Sequence, residues 1–180
     1  SKDIPLSEKG LKQAERLSKR FEDNKFDAIY SSNLKRANQT AQAIANSHSL
    51  EVIKEKEFRE ISMGDWEGMC WDEVKEKFPE TIRQWKERPT MAAIPNYEGI
   101  TKASNRVFKA LQETALRHKD DERILIVAHG LVIATILCKV EQVELDNWFQ
   151  MHQGNTAVNL ISYDGRGFKA DLINCTKHLG

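Results

Sequence analysis

Arg36, Glu60 and His129 are the residues of this chain whose types and settings could do acid/base chemistry on an anion. The run Ile124-Leu125-Ile126-Val127-Ala128-His129-Gly130 reads as a short strand buried on both faces, ending on a histidine and a glycine. Ligands of open α/β sheets bind beyond the carboxyl ends of the strands, so His129 would stand at that edge with a helix starting behind it. Arg36, in Ser31-Ser32-Asn33-Leu34-Lys35-Arg36-Ala37, would project from the first turn of another helix toward the same edge. A guanidinium there suits bidentate contact with phosphate or carboxylate, and helix amides would add to the anion site. Glu60 lies in Phe58-Arg59-Glu60-Ile61-Ser62-Met63-Gly64-Asp65-Trp66-Glu67-Gly68. A carboxyl among Phe58, Met63 and Trp66 would be partly desolvated, which raises its pKa and makes it a general acid near neutral pH. Each residue also has a plainer reading: a histidine closing a strand, a solvated arginine in a turn, a glutamate paired with Arg59 or Lys56.

Together the three describe an anion site with acid/base capability. Phosphoryl transfer fits best, the arginine balancing the spreading negative charge and the glutamate protonating the leaving oxygen. A nucleophile is still required, and histidine is an admissible one. Metal-assisted hydrolysis fits less well: the chain has no H-E-x-x-H, no aspartate-rich loop, and its five histidines are scattered. No metal and no cofactor is expected. Neither a G-x-S-x-G nor a Walker motif occurs.

The elements that must position these groups follow from the hydrophobic pattern. Ser7 can cap a helix carrying Leu11, Ala14, Leu17 and Phe21 on one side. Residues 26–32 read as a strand, Asn33 as the cap of a helix with Leu34, Ala37, Ala41, Ile44 and Ala45 inward, and Val52-Ile53 as a minimal strand. Residues 63–97 change character, with Trp66, Trp71, Phe78 and Trp85 among short helical pieces punctuated by Pro79, Pro89 and Pro95. This insertion reads either as a cap presenting Trp66, Trp71 and Trp85 to substrate or as a local satellite core. A long helix over 101–118, the strand and helix around His129, and a terminal hairpin over 156–173 complete the pattern. The fold class is α/β: a mostly parallel central sheet with helices on both faces, in a single domain over 1–180.

Lys+Arg and Asp+Glu each total 27, and a formal net charge of zero argues against nucleic-acid binding. No run is long and apolar enough to span a membrane, and no secretory leader opens the chain. Cys70, Cys138 and Cys175 form no C-x-x-C pair, which points to a reduced, cytoplasmic protein with Cys138 packing as a small apolar residue.

Taken in order, the motifs resemble those of the histidine phosphatase superfamily, the phosphoglycerate mutase-like proteins. Pro5-Leu6-Ser7-Glu8-Lys9-Gly10 with Gln13-Ala14 is similar to the family's opening helix. Tyr30-Ser31-Ser32, Leu34, Arg36-Ala37 and Gln39-Thr40-Ala41 resemble its arginine motif. Arg59-Glu60 with Gly64 and Trp66-Glu67-Gly68 resembles its acid motif, and Val127-Ala128-His129-Gly130 its second histidine motif. Asn155, ahead of the hairpin, also fits, so the resemblance spans essentially the whole chain. It implies that Glu60 is the proton donor and that Arg36, His129 and Gly130 hold the phosphoryl group. Pro95-Asn96-Tyr97-Glu98-Gly99 departs from the family's Pro-x-Gly-Glu-Ser pattern and leaves substrate contacts there open.

The family's first motif, an Arg-His-Gly whose histidine is the covalent nucleophile, is not among these residues; it is expected upstream of Ser1, on a central strand. Without that strand sheet edges would be exposed, so a stable monomer is not expected and a homodimer is admissible. The resemblance then implies a metal-independent phosphatase acting on phosphate monoesters through a phosphohistidine, closest to the bacterial broad-specificity type. The short interval from Glu60 to His129 favours that over a phosphoglycerate mutase-type transfer. A catalytically inactive phosphate-ester binding module is the alternative from a different class. The expected partners are small phosphorylated metabolites or inorganic phosphate. The resemblance also reaches phosphatases of a cobalamin-precursor nucleotide and of fructose bisphosphate, which these residues do not separate.

Overall fold

The computed structural model describes residues 3–180. Helix α1 (Glu8–Arg20) starts where Ser7 Oγ accepts the Gly10 N–H at 3.2 Å and turns Ala14 and Leu17 inward. It leads to β1 (Ala28–Ser31), α2 (Lys35–His48) and β2 (Val52–Lys54). The insertion holds two short helices, α3 (Trp71–Lys77) and α4 (Pro79–Glu87), among single 3-10 turns. Then come α5 (Ile100–Leu116), β3 (Ile124–Val127), α6 (Gly130–Val140) and an antiparallel hairpin of β4 (Val158–Tyr163) with β5 (Phe168–Cys175).

Among the described residues the central sheet has three parallel strands in the order β2-β1-β3, and the hairpin forms a separate sheet. β1 sits in the middle, with Ile29 opposite both Val52 and Leu125. Alternation along the strands sorts side chains between two layers. Ile29, Val52, Leu125 and Val127 pack with Leu17, Ala41, Ile44 and Ala45 of α1 and α2. Ala28, Tyr30, Ile124 and Ile126 face the other way, into a larger core with Ala103, Val107, Ala110 and Leu111 of α5 and Val132 and Ile136 of α6. The expected α/β architecture with helices on both faces is what the chain builds.

Two local expectations need correction. The strand before His129 was expected to be buried on both faces, whereas all four residues of β3 are only half-buried while β1 is fully buried. The reason is position: β3 pairs with β1 on one side and is the outer strand of the described sheet on the other. Asn33 does not cap α2. Leu34 holds the N-cap position without a side-chain bond, and the carboxylate of Asp3 accepts the Lys35 N–H at 2.6 Å. A distant carboxylate has taken the role that a local asparagine could fill. Cys138 is buried, and the three cysteines are free thiols. Among the described residues no helix is long and apolar enough to cross a membrane.

Candidate active site

Three strand-to-helix junctions converge at the carboxyl end of the sheet. Ser32 follows β1, the acid loop follows β2, and His129 ends β3 as the N-cap of α6. Parallel strands in register require this: Ser31 is aligned with both Lys54 and Val127, so the residues after each emerge side by side. The Ser32 N–H donates to the Val127 carbonyl at 2.9 Å and locks the first junction to the third.

His129 is buried, and its Nε2 lies 2.8 Å from the Ser32 hydroxyl. That hydroxyl also accepts the Leu34 N–H at 3.2 Å, so it ties His129 to the start of α2. Burial, then the positive fields of Arg36 and Arg59, push the His129 imidazole down to about 3. It is a neutral ring at physiological pH, surrounded by a field suited to an anion.

Glu60 lies across the amino terminus of α6. Its carboxylate accepts the N–H groups of Leu131 and Val132, each at 3.3 Å, and that of Ile61 at 3.0 Å. The helix dipole favours negative charge at this point. Burial nevertheless dominates and holds the carboxyl above its ordinary value, with those N–H groups and Arg36 opposing. Arg36 stands in the first turn of α2, half-buried, close enough to act electrostatically on both Glu60 and His129. Gly130 is the first residue of α6, and a side chain there would meet no described atom within 4 Å. The Leu131 and Val132 amides already serve Glu60, so the room for an oxyanion is at exposed Gly130, where the positive end of the helix dipole and the Arg36 guanidinium would favour one.

The acid loop is itself clamped. Arg106 on α5 pairs with Glu98 through Nε to Oε1 at 2.7 Å and Nη2 to Oε2 at 3.0 Å. The same guanidinium donates to the carbonyls of Glu57 and Arg59, on either side of Phe58 and next to Glu60. Glu98 closes the circuit through Ser62, whose N–H donates to its carboxylate at 3.3 Å and whose carbonyl accepts its N–H at 3.0 Å. At Pro95-Asn96-Tyr97-Glu98-Gly99, where substrate contacts were left open, Glu98 therefore serves the loop that carries Glu60.

The three tryptophans of the insertion differ in setting. Trp66 and Trp85 are buried, packed edge to face at 6.4 Å and joined to Phe78, Tyr97 and Trp148. Trp71 is 57% exposed, its ring 6.2 Å from Trp66. Two site members went unassigned in the sequence. Ser32 sits in the arginine motif but carries no mark distinguishing it from Ser31, and Arg59 sits in the acid motif with no sign there that its charge reaches His129.

Comparison with known proteins identifies the family and the fold. Residues 1–176 match the histidine phosphatase superfamily (branch 1). The chain is 36% identical to phosphoserine phosphatase 1 of Hydrogenobacter thermophilus, over 99% of its own length and 84% of that protein's. Among solved structures, YhfR of Bacillus stearothermophilus superposes with a TM-score of 0.94 at 31% identity, covering 99% of this chain and 88% of that one. A phosphoserine phosphatase mutant from Entamoeba histolytica, solved with phosphoserine, gives a TM-score of 0.86 at 26% identity over 98% and 87% of the two chains. The chain belongs to the histidine phosphatase superfamily, branch 1.

Proposed function

We propose that this protein hydrolyses small phosphate monoesters, with Arg36, His129 and the α6 terminus at Gly130 holding the phosphoryl group and Glu60 acting as the acid. The observation that carries this reading is the placing of Glu60 and His129 at one helix terminus. A half-buried carboxyl with a raised pKa shares the start of α6 with a neutral imidazole, both within the field of Arg36. Phosphoryl transfer needs positive charge around the equatorial oxygens and a proton for the leaving alkoxide, and these groups supply both.

The nucleophile implied by the family resemblance is a histidine on an Arg-His-Gly segment before Ser1, outside the described residues. In the reaction so read, that imidazole attacks phosphorus as the P–O bond to the alcohol breaks, and Glu60 gives its proton to the departing oxygen. Water then attacks the phosphohistidine, the P–N bond breaks, and the Glu60 carboxylate takes back a proton. His129, neutral when the site is empty, donates to the phosphoryl oxygens once their charge offsets that of Arg36 and Arg59.

Phosphoserine and related small acidic monoesters are the favoured substrates, by likeness to the phosphoserine phosphatases. Of the three tryptophans of the insertion, exposed Trp71 is the one we read as a substrate contact. The test is phosphate release from phosphoserine and from an aryl phosphate, together with trapping of an acid-labile phosphorylated protein. Turnover with a trapped intermediate supports the reading. Saturable binding of phosphate esters with no covalent species and no release would make the protein a binding module. An unchanged ratio of aryl to phosphoserine rates in Trp71→Ala would remove that residue from substrate contact.

A further inference from the structure

The far end of the molecule carries a second cationic cleft. α1 and α2 run side by side in the same sense: the Leu6 N–H donates to Gln39 Oε1 at 2.8 Å, and His48 bonds the carbonyls of Phe21 and Asn24 at their other ends. The start of α2 holds Arg36 at the catalytic edge, so the last turns of α1 lie at the opposite edge. There Arg16, Lys19 and Arg20 of α1 face Lys177 and His178 of the terminal 3-10 turn across a shallow depression that is open to solvent. No carboxylate lines it, and none of the four permanent cations is in an ion pair among the described residues. A protein with 27 basic and 27 acidic residues has gathered four of one sign in one place.

The cleft is built rather than a loose fringe of side chains. Arg16 Nη1 donates to the Leu179 carbonyl at 2.7 Å, and Arg20 Nη1 to the Cys175 carbonyl at 3.1 Å. Arg20 also reaches His178 Nδ1 at 3.1 Å and the Cys175 sulfur at 3.2 Å. A guanidinium cannot accept, so Nδ1 is the acceptor, and His178 Nε2–H donates to Thr156 Oγ1 at 2.9 Å. That hydroxyl passes its own proton to the Asn155 carbonyl at 2.7 Å. Burial and the two arginines hold His178 below its ordinary value. Both guanidinium groups are thus oriented before any ligand arrives, with N–H donors to spare.

We infer that this cleft is a binding site for a linear polyphosphate anion, separate from the catalytic edge. Arg16 and Arg20 are four residues apart on a helix, about 6 Å along its axis, and Lys177 stands on the other wall. Charges distributed in this way match successive phosphates of a chain better than one compact ion. No Phe, Tyr or Trp lines the depression to stack a base, and both ring nitrogens of His178, its one aromatic residue, are bonded within the protein, so recognition rests on the phosphates. The inference stands independently of the catalytic reading.

The experiment is a titration of the protein with sodium tripolyphosphate, followed through the histidine ring resonances and by calorimetry. His178 reports this cleft and His129 the catalytic edge. Binding is expected to move His178, and the Lys19→Gln/Lys177→Gln double variant, which keeps both arginine anchors, is expected to weaken it about tenfold. Phosphate-monoester hydrolysis by that variant should stay unchanged. A nucleoside triphosphate binding as tightly as tripolyphosphate also supports recognition through the phosphate chain. The inference is overturned if tripolyphosphate moves only His129, if the double variant binds within twofold of the parent, or if orthophosphate binds the cleft as tightly as tripolyphosphate.

Discussion

The Ser32 hydroxyl stands 2.8 Å from His129 Nε2, and it joins the ends of two parallel strands at the point where the phosphoryl group would sit. Both residues are buried, so this contact fixes the ring against water as well as against rotation. Losing one partner of a buried polar pair leaves the other unsatisfied. Ser32→Ala should therefore cost about 1–2 kcal/mol, read from a denaturant titration. It should also loosen phosphate binding several-fold, because the His129 ring loses the contact that holds its orientation. Unaltered stability together with unaltered phosphate affinity would show that Ser32 only fills space.

His129 should not titrate near neutrality in the empty site. Its pKa, pushed to about 3 mainly by burial, lies below that of an unfolded histidine near 6.5. The unfolded chain then binds a proton over that window while the folded one does not. The stability contributed by the neutral ring is fully present above pH 6.5 and is lost as the pH falls toward 3. Urea midpoints of the parent should drop across this range, and those of His129→Gln should drop less. Bound phosphate should raise the His129 midpoint measured by NMR, since an anion offsets Arg36 and Arg59. A free-protein titration centred near 6.5 would contradict the account.

Much of this arrangement was legible in the sequence because it depends on periodicity and on residue type at strand ends. The alternation in Ala28-Ile29-Tyr30 and the helical spacing of Ala37, Ala41 and Ile44 set the layers. Parallel register then brought Arg36, Glu60 and His129 to one edge. Long-range bonds were not legible. Nothing local links Asp3 to Lys35, or Arg106 to the carbonyls around Phe58, because such pairs exist only after the chain has folded back. Burial within the insertion was equally hidden: Trp66, Trp71 and Trp85 share a composition, and only packing separates the buried two from the exposed one.

Glu60→Gln should reduce turnover of phosphoserine by roughly 10²–10⁴, the range for losing a general acid. The loss should be much smaller for an aryl phosphate, whose leaving group departs without a proton. Glutamine keeps one acceptor oxygen, enough for the Val132 and Ile61 N–H groups that share Oε1, loses the one that serves Leu131, and removes an ionisable group held largely out of water, so the fold should survive with a small loss of stability. Equal losses on both substrates would mean that Glu60 positions the substrate and does not protonate it.

The loop bearing Glu60 depends on the Glu98–Arg106 pair and on one glycine. The paired side chains are 17% and 19% exposed, so removing either leaves an uncompensated charge largely out of water. Arg106→Leu should cost about 3 kcal/mol or more, and Glu98→Leu combined with it should cost less than the two single changes added together. Gly64 lies beyond Glu60 on the same loop, with φ at +56° and the backbone of Pro95, Asn96 and Tyr97 pressed against the place a Cβ would occupy. Here strain and clash act together, since a left-handed conformation disfavours any side chain and the opposing atoms are backbone that cannot step aside. Gly64→Ala should break the Asp65 N–H to Pro95 carbonyl bond, which measures 3.0 Å, and displace the acid loop. The expected result is a lower urea midpoint and a large fall in turnover with little change in phosphate affinity at Arg36 and His129. Retained turnover in Gly64→Ala would mean that Glu60 is held by the α6 amides alone.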